Sequence, residues 1–121
     1  MSGAASRRKG ATGEREVLRL LGELLGEALE RNLSQSRSSG SDCIGVKGFA
    51  IEVKRQERLN RQAWWRQAVD QASKENGEPM LLYRRSREKW RAFIHTSNGR
   101  YREGTLEDAA SAICEKWLLW P

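Results

Sequence analysis

An α/β fold in which a mixed sheet is flanked by helices is the architecture this 121-residue chain predicts. Three observations carry the expectation. An apolar stripe at helical spacing opens the chain, short β-prone runs follow in two groups, and a helix separates the two groups. The expected order is α-β-β-β-α-β-β-α. A chain of this length, 38% hydrophobic, can fill one core and not two.

Residues 1–11 are rich in Gly, Ala and Ser around Arg7, Arg8 and Lys9, and read as a flexible basic tail ahead of a single domain at residues 12–121. From 12 to 31, Val17, Leu20, Leu21, Leu24, Leu25, Ala28 and Leu29 recur with the period of a helix and would pack one stripe into the core. Residues 32–37 are expected as a first strand, and SRSSGS as a polar loop. Residues 43–46 and 49–54 then form an expected hairpin turning at Lys47-Gly48. A helix over 60–76 stops at Asn76-Gly77, with Pro79 beyond. Residues 80–84 and 89–95 are expected strands, and 105–120 a last helix with Thr105 as its N-cap.

Composition narrows the function classes. Lys plus Arg number 22 against 16 Asp plus Glu, a net charge of +6. Arginine supplies most of it, and its planar fork suits phosphate, so a polyanion such as nucleic acid is favoured over a merely basic, soluble surface. No run is apolar and long enough to span a membrane, and MSGAASRRKG lacks an apolar signal core, so a soluble, cytoplasmic protein is expected. Cys43 and Cys114 have neither CxxC spacing nor a histidine beside them, and are expected as small core residues in a reducing compartment. His95, the sole histidine, excludes histidine-based metal clusters and is expected to serve packing or the surface.

The run FAIEVK, residues 49–54, raises the sharper question. On a strand, Ile51 and Val53 share one face while Glu52 and Lys54 share the other. One such pair in a glutamate-rich chain fits plain solvent surface as well as a site. The conjunction favours a site: Asp42 starts the preceding run, a hairpin would bring its carboxylate beside that of Glu52, and the chain is basic. Two converging carboxylates need a cation between them, and hard oxygen donors suit Mg²⁺, with Mn²⁺ as a substitute. Lys54, one pleat further on, would hold or activate the water that attacks a phosphate.

GSDCIGVKGFAIEVKRQE, residues 40–57, resembles the D…E-x-K core of PD-(D/E)xK nucleases. RKGATGERE, residues 8–16, resembles the opening helix of archaeal-type Holliday junction resolvases, and PMLLYRRSREKWRAFIH is similar to their later strand pair. Ser41 stands where the superfamily name has proline, at a position that varies in the family, and no particular serine of residues 38–41 is assigned a role. The resemblance implies a restriction-endonuclease-like core and metal-dependent hydrolysis of DNA phosphodiesters at branched sites by a homodimer. It implies Mg²⁺ bound by Asp42, Glu52, the Val53 carbonyl and Glu14, with Lys54 positioning the nucleophile.

Other residues are placed around that site. Arg7, Arg8 and Lys9 on one side, and Arg55, Arg58 and Arg61 on the other, are expected to contact the DNA backbone. Gln67 and Gln71 read as a solvated face. Trp64 and Trp65 lie about 100° apart on a helix, so one is expected in the core and the other at a dimer interface or against a base. Residues 117–120 should cover the sheet or a second subunit. Two readings compete with the resolvase type: a nicking or sequence-specific nuclease of the same fold, and a non-catalytic basic DNA-binding module. The Asp42, Glu52, Lys54 set argues against the last.

Overall fold

The computed structural model describes residues 3–31, 43–44 and 46–119. The expected strand at 32–37 lies outside them. Helix α1 (Gly3–Leu25) leads to two short strands, β1 (Glu30–Arg31) and β2 (Cys43–Ile44), and then to the long strand β3 (Phe49–Arg55). Helix α2 (Arg61–Glu75) crosses to β4 (Glu78–Arg84), followed by β5 (Arg91–His95), β6 (Tyr101–Thr105) and α3 (Leu106–Leu118).

Local chemistry sets most of these boundaries. Helix α1 starts and stops earlier than its apolar stripe suggests, running through the stretch expected as a tail. It ends because Gly26 adopts φ +70°, a left-handed conformation that costs glycine little, while the Glu27 amide closes back on the Gly22 carbonyl at 3.0 Å. Helix α2 ends at Asn76 in the same left-handed region, φ 55°. Helix α3 opens on a reciprocal capping box: the Asp108 amide donates to the Thr105 hydroxyl at 3.1 Å, and the Thr105 amide to the Asp108 carboxylate at 2.9 Å.

β3, β4, β5 and β6 form a four-stranded sheet in that order, β3 and β4 parallel and the rest antiparallel. The parallel pair is possible because α2 carries the chain back across the sheet. On one face, Ile51, Val53, Met80, Leu82, Ala92 and Ile94 pack against Val17, Leu18 and Leu21 of α1 and against Leu106, Ala109 and Ile113 of α3. On the other, Leu81, Tyr83 and Phe93 pack against Trp64, Trp65 and Ala68 of α2.

Several expectations are corrected. β2 pairs with β1, antiparallel, and among the described residues no ladder joins it to β3. The turn at Lys47-Gly48 does form, with the Phe49 amide donating to the Val46 carbonyl and Gly48 at φ +85°, yet it links two sheets and not one hairpin. β6 is additional. Its sequence, YREGT, lacks an apolar run because the strand lies at the sheet edge and exposes most of its side chains. Both Trp64 and Trp65 are buried: Trp65 donates its indole N–H to the Gly99 carbonyl at 2.8 Å and meets Tyr101 edge-on, and Tyr101 stacks on Phe93. Cys114 is exposed. Trp117 packs against the first core and donates to the Lys47 carbonyl, whereas Leu118 and Leu119 are each 85% exposed. His95 serves packing: it bonds Glu78, which also takes Lys116 at 2.7 Å and so ties α3 to β4.

One polar cluster locks α1 to the sheet. Glu16 receives both arms of Arg84 at 3.0 Å and the Trp90 indole N–H at 2.7 Å. Burial opposes its charge, but the bonds from Arg84 and Trp90, with the positive charge of Arg84 and Arg55, outweigh that and hold its carboxyl below the usual glutamate value. A depressed folded-state pKa contributes stability that is present above the unfolded value, about 4.3, and is lost as pH falls through the lowered folded value. Glu16→Gln should therefore cost about 1–3 kcal/mol at pH 7, with the deficit narrowing at acid pH. Urea unfolding of both proteins at pH 7 and below pH 4 measures this.

Candidate active site

The polar pair in FAIEVK does not face plain solvent. In the parallel register Glu52 lies opposite Leu81 and Lys54 opposite Tyr83, so both belong to the sheet face that α2 and its tryptophans cover. Glu52 is only 5% exposed, and Lys54, nearer the strand end, is half-buried. Ile51 and Val53 point into the opposite core, as alternation requires. A carboxylate in such a setting is kept only where it is paired, hydrogen-bonded or coordinating. A carboxylate is one of the hard oxygen donors that a divalent cation prefers.

Helix α1 reaches the same strand from the other side. A Cβ on Gly13 would lie 2.5 Å from the Cβ of Arg55, so only glycine lets the helix settle on the end of β3. The next residue, Glu14, is thereby carried to that end. Its carboxylate accepts from Arg31 at 2.8 Å, and Arg31 is the register partner of Cys43. Cys43 directly follows Asp42 in sequence, and β2 in turn contacts β3. Asp42 itself, with residues 38–41, lies outside the described residues. Among the described residues no group of three or more His, Cys, Asp or Glu side chains converges as a metal cluster.

The expected DNA-contacting cations divide. Arg58 is exposed. Arg61, also exposed, pairs with Glu103 at 3.3 Å. Arg55 is tied inward, to Glu57 and to the Ser86 hydroxyl, both at 2.9 Å. The side chains of Arg7, Arg8 and Lys9 lie outside the described residues, although their backbone belongs to α1. Gln67 is exposed, but Gln71 is buried and donates to Glu75 at 2.9 Å, so the two do not make one solvated face. Sequence reasoning passed over Arg31, which holds Glu14, and the Glu57–Ser86 contact beside the site. Partners of this kind leave no spacing signal, since they meet only through the register of strands far apart in sequence.

No curated protein matches the chain. A solved structure of Archaeoglobus fulgidus Hjc, a Holliday junction resolvase from an archaeal hyperthermophile, superposes with a TM-score of 0.59 at 22% identity, covering 83% of this chain and 97% of that one. That likeness establishes the restriction-endonuclease-like fold. The model of a protein family described as "Phage putative PDDEXK endonuclease" matches residues 5–113. That match runs from the opening helix, through the strand bearing Glu52 and Lys54, into α3, and so the chain belongs to this PD-(D/E)xK endonuclease family and is a nuclease.

Proposed function

We propose that the protein is a divalent-metal-dependent DNA endonuclease of the resolvase type, cutting phosphodiesters in branched duplexes as a homodimer. The observation that carries the reading is Glu52, a carboxylate buried in an apolar strand two residues before a lysine, within a chain whose family is that of endonucleases. The basic balance supports a polyanionic substrate. The likeness to a Holliday junction resolvase supports branched DNA over linear duplex.

Asp42, Glu52, the Val53 carbonyl and Glu14 would hold the ion, Mg²⁺ by preference and Mn²⁺ in its place. An ion bound there neutralises phosphate charge and acts as a Lewis acid. The chain's own groups do the rest. Lys54 orients the attacking water, and its ammonium offsets the negative charge that builds on the phosphate oxygens as the new P–O bond forms and the leaving oxygen departs. Arg31 sets where Glu14 points. The apolar cover of α2 over Leu81, Tyr83 and Phe93 keeps bulk water from the inner side of the strand, which strengthens every charge interaction on it. Arg7, Arg8, Lys9, Arg58 and Arg61 contact the backbone on either side, with Arg55 shaping the strand end between them.

Among the described residues no helix is long and apolar enough to cross a membrane. The exposed leucines at 118 and 119 provide apolar surface for a two-fold interface. A four-way junction has two exchanging strands, so a resolvase needs two active sites, which such a dimer supplies.

Asp42→Asn and Glu52→Gln should each abolish cleavage while leaving DNA binding largely intact, as gel shift and a cleavage assay on one four-way junction will show. Chelation of divalent ions should do the same to the unaltered protein, with activity restored by Mg²⁺ or Mn²⁺. Lys54→Ala should lower turnover by roughly 10²-fold or more while calorimetric Mn²⁺ affinity is mostly kept, which separates ion binding from nucleophile positioning. Light scattering should find a dimer at micromolar concentration, and a panel of junction, flap, duplex and single strands should show the junction cut fastest. A monomer, both alone and with junction, would favour the nicking reading.

A further inference from the structure

The turn between β4 and β5 carries a residue that the fold by itself does not ask for. Outside glycine, the described residues adopt positive φ at Asn76, Arg87 and Asn98. Asparagine tolerates the left-handed region because its short amide bonds locally; a long cation gains nothing there and bears the steric cost. Arg87, at φ 66°, is held in that conformation by its surroundings. The Glu88 amide closes the turn on the Arg85 carbonyl at 3.2 Å, and the Ser86 amide and hydroxyl both donate to the Glu57 carboxylate, the hydroxyl at 2.8 Å. Strain that the surroundings maintain at one side chain points to a use for that side chain.

The placement of the turn suggests the use. Arg55 and Arg84 are register partners, the Gln56 amide donates to the Arg84 carbonyl at 3.3 Å, and Arg55 donates to Ser86. The turn is thus bolted to the segment that directly follows Lys54, at the sheet end where Gly13 of α1 packs against Arg55. The neighbouring cations are spoken for: Arg84 by Glu16 and Arg85 by Glu88 at 2.7 Å. Arg87 is exposed, and among the described residues it enters no ion pair.

We infer that Arg87 is a phosphate-gripping element at the rim of the active site, and that the Glu57–Ser86 clamp exists to present it. The ligand is the sugar-phosphate backbone of the strand being cut, a few nucleotides from the scissile bond. This inference rests on the nuclease reading and adds a contact surface to it. Arginine suits the task because its fork bonds phosphate oxygens in pairs.

The test is Arg87→Asn in a Glu52→Gln background, so that binding is read without cleavage, by fluorescence anisotropy on a labelled duplex across a salt series. The expected result is a severalfold weaker affinity, with the slope of log affinity against log salt reduced by about 0.9 for the lost contact. The thermal midpoint should at the same time be unchanged or raised, because asparagine relieves the left-handed strain. Arg87→Lys should keep most of the slope. Unchanged affinity and slope in Arg87→Asn would overturn the inference and leave the nuclease reading standing. A lowered midpoint accompanying the binding loss would overturn it too, by making Arg87 a part of the fold. If the Glu52→Gln protein bound no DNA while unaltered protein cut none, both readings would fall together.

Discussion

The candidate active site depends on the parallel ladder between β3 and β4. Parallel pairing buries a strand on both faces, and here the two faces carry different loads: an aliphatic core under α1 and α3, and an aromatic one under α2. The register that sets Glu52 against Leu81 also sets Arg55 against Arg84. A slip by one residue would send Glu52 into the aliphatic core and Val53 toward the tryptophans, inverting every side chain on the strand. The register is secured by hydrophobic matching along its length, since Ile51, Met80 and Ile94 align on one side of the sheet and Leu81 and Phe93 on the other.

The two helices that frame the strand are fastened by different means. α2 holds by aromatic packing, Trp64 against Tyr83 and Trp65 against Phe93 and Tyr101. α1 holds by the close approach at Gly13 and by the Glu16–Arg84–Trp90 cluster, which spans residues far apart in sequence. Glu14 and Glu16 sit two positions apart on α1 and so face different directions, one toward Arg31 and β1, the other toward β4 and the turn beyond it. A single helical turn thus connects the candidate site to the scaffold.

Legibility in the sequence followed locality. Helix α2 and the capped start of α3 are readable because their signals, Asn76-Gly77 and the N-cap Thr105, act over a few residues. The faces of β3 were readable because alternation is local too. The partner of β2 was not: CIGV next to KG reads as half of a hairpin, and only the three-dimensional arrangement gives its ladder to β1. β6 escaped because an exposed edge strand has no need of the apolar residues by which strands are recognised. The roughly 100° between Trp64 and Trp65 suggests one in the core and one outside it, yet a side chain that large reaches the sheet from either position, and both are buried. Of the candidate site, the E-x-K pair and the helix glutamate are visible as motif; the family match upholds the resemblance of the chain as a whole to PD-(D/E)xK nucleases. Arg31 and the Glu57–Ser86 clamp are consequences of folding that no window of sequence contains.

The crossover through α2 has a consequence for the order in which the protein comes into being. A chain leaving the ribosome has exposed Glu52 and Lys54 before Tyr83 and Arg84 have been added, and an antiparallel neighbour cannot stand in, since the partner strand arrives only after the helix. β3 therefore has no sheet to join through the synthesis of some thirty residues. The strand that bears Glu52 and Lys54 is assembled late, when the helix that covers it is already made, and an incomplete nascent chain carries the motif without its sheet.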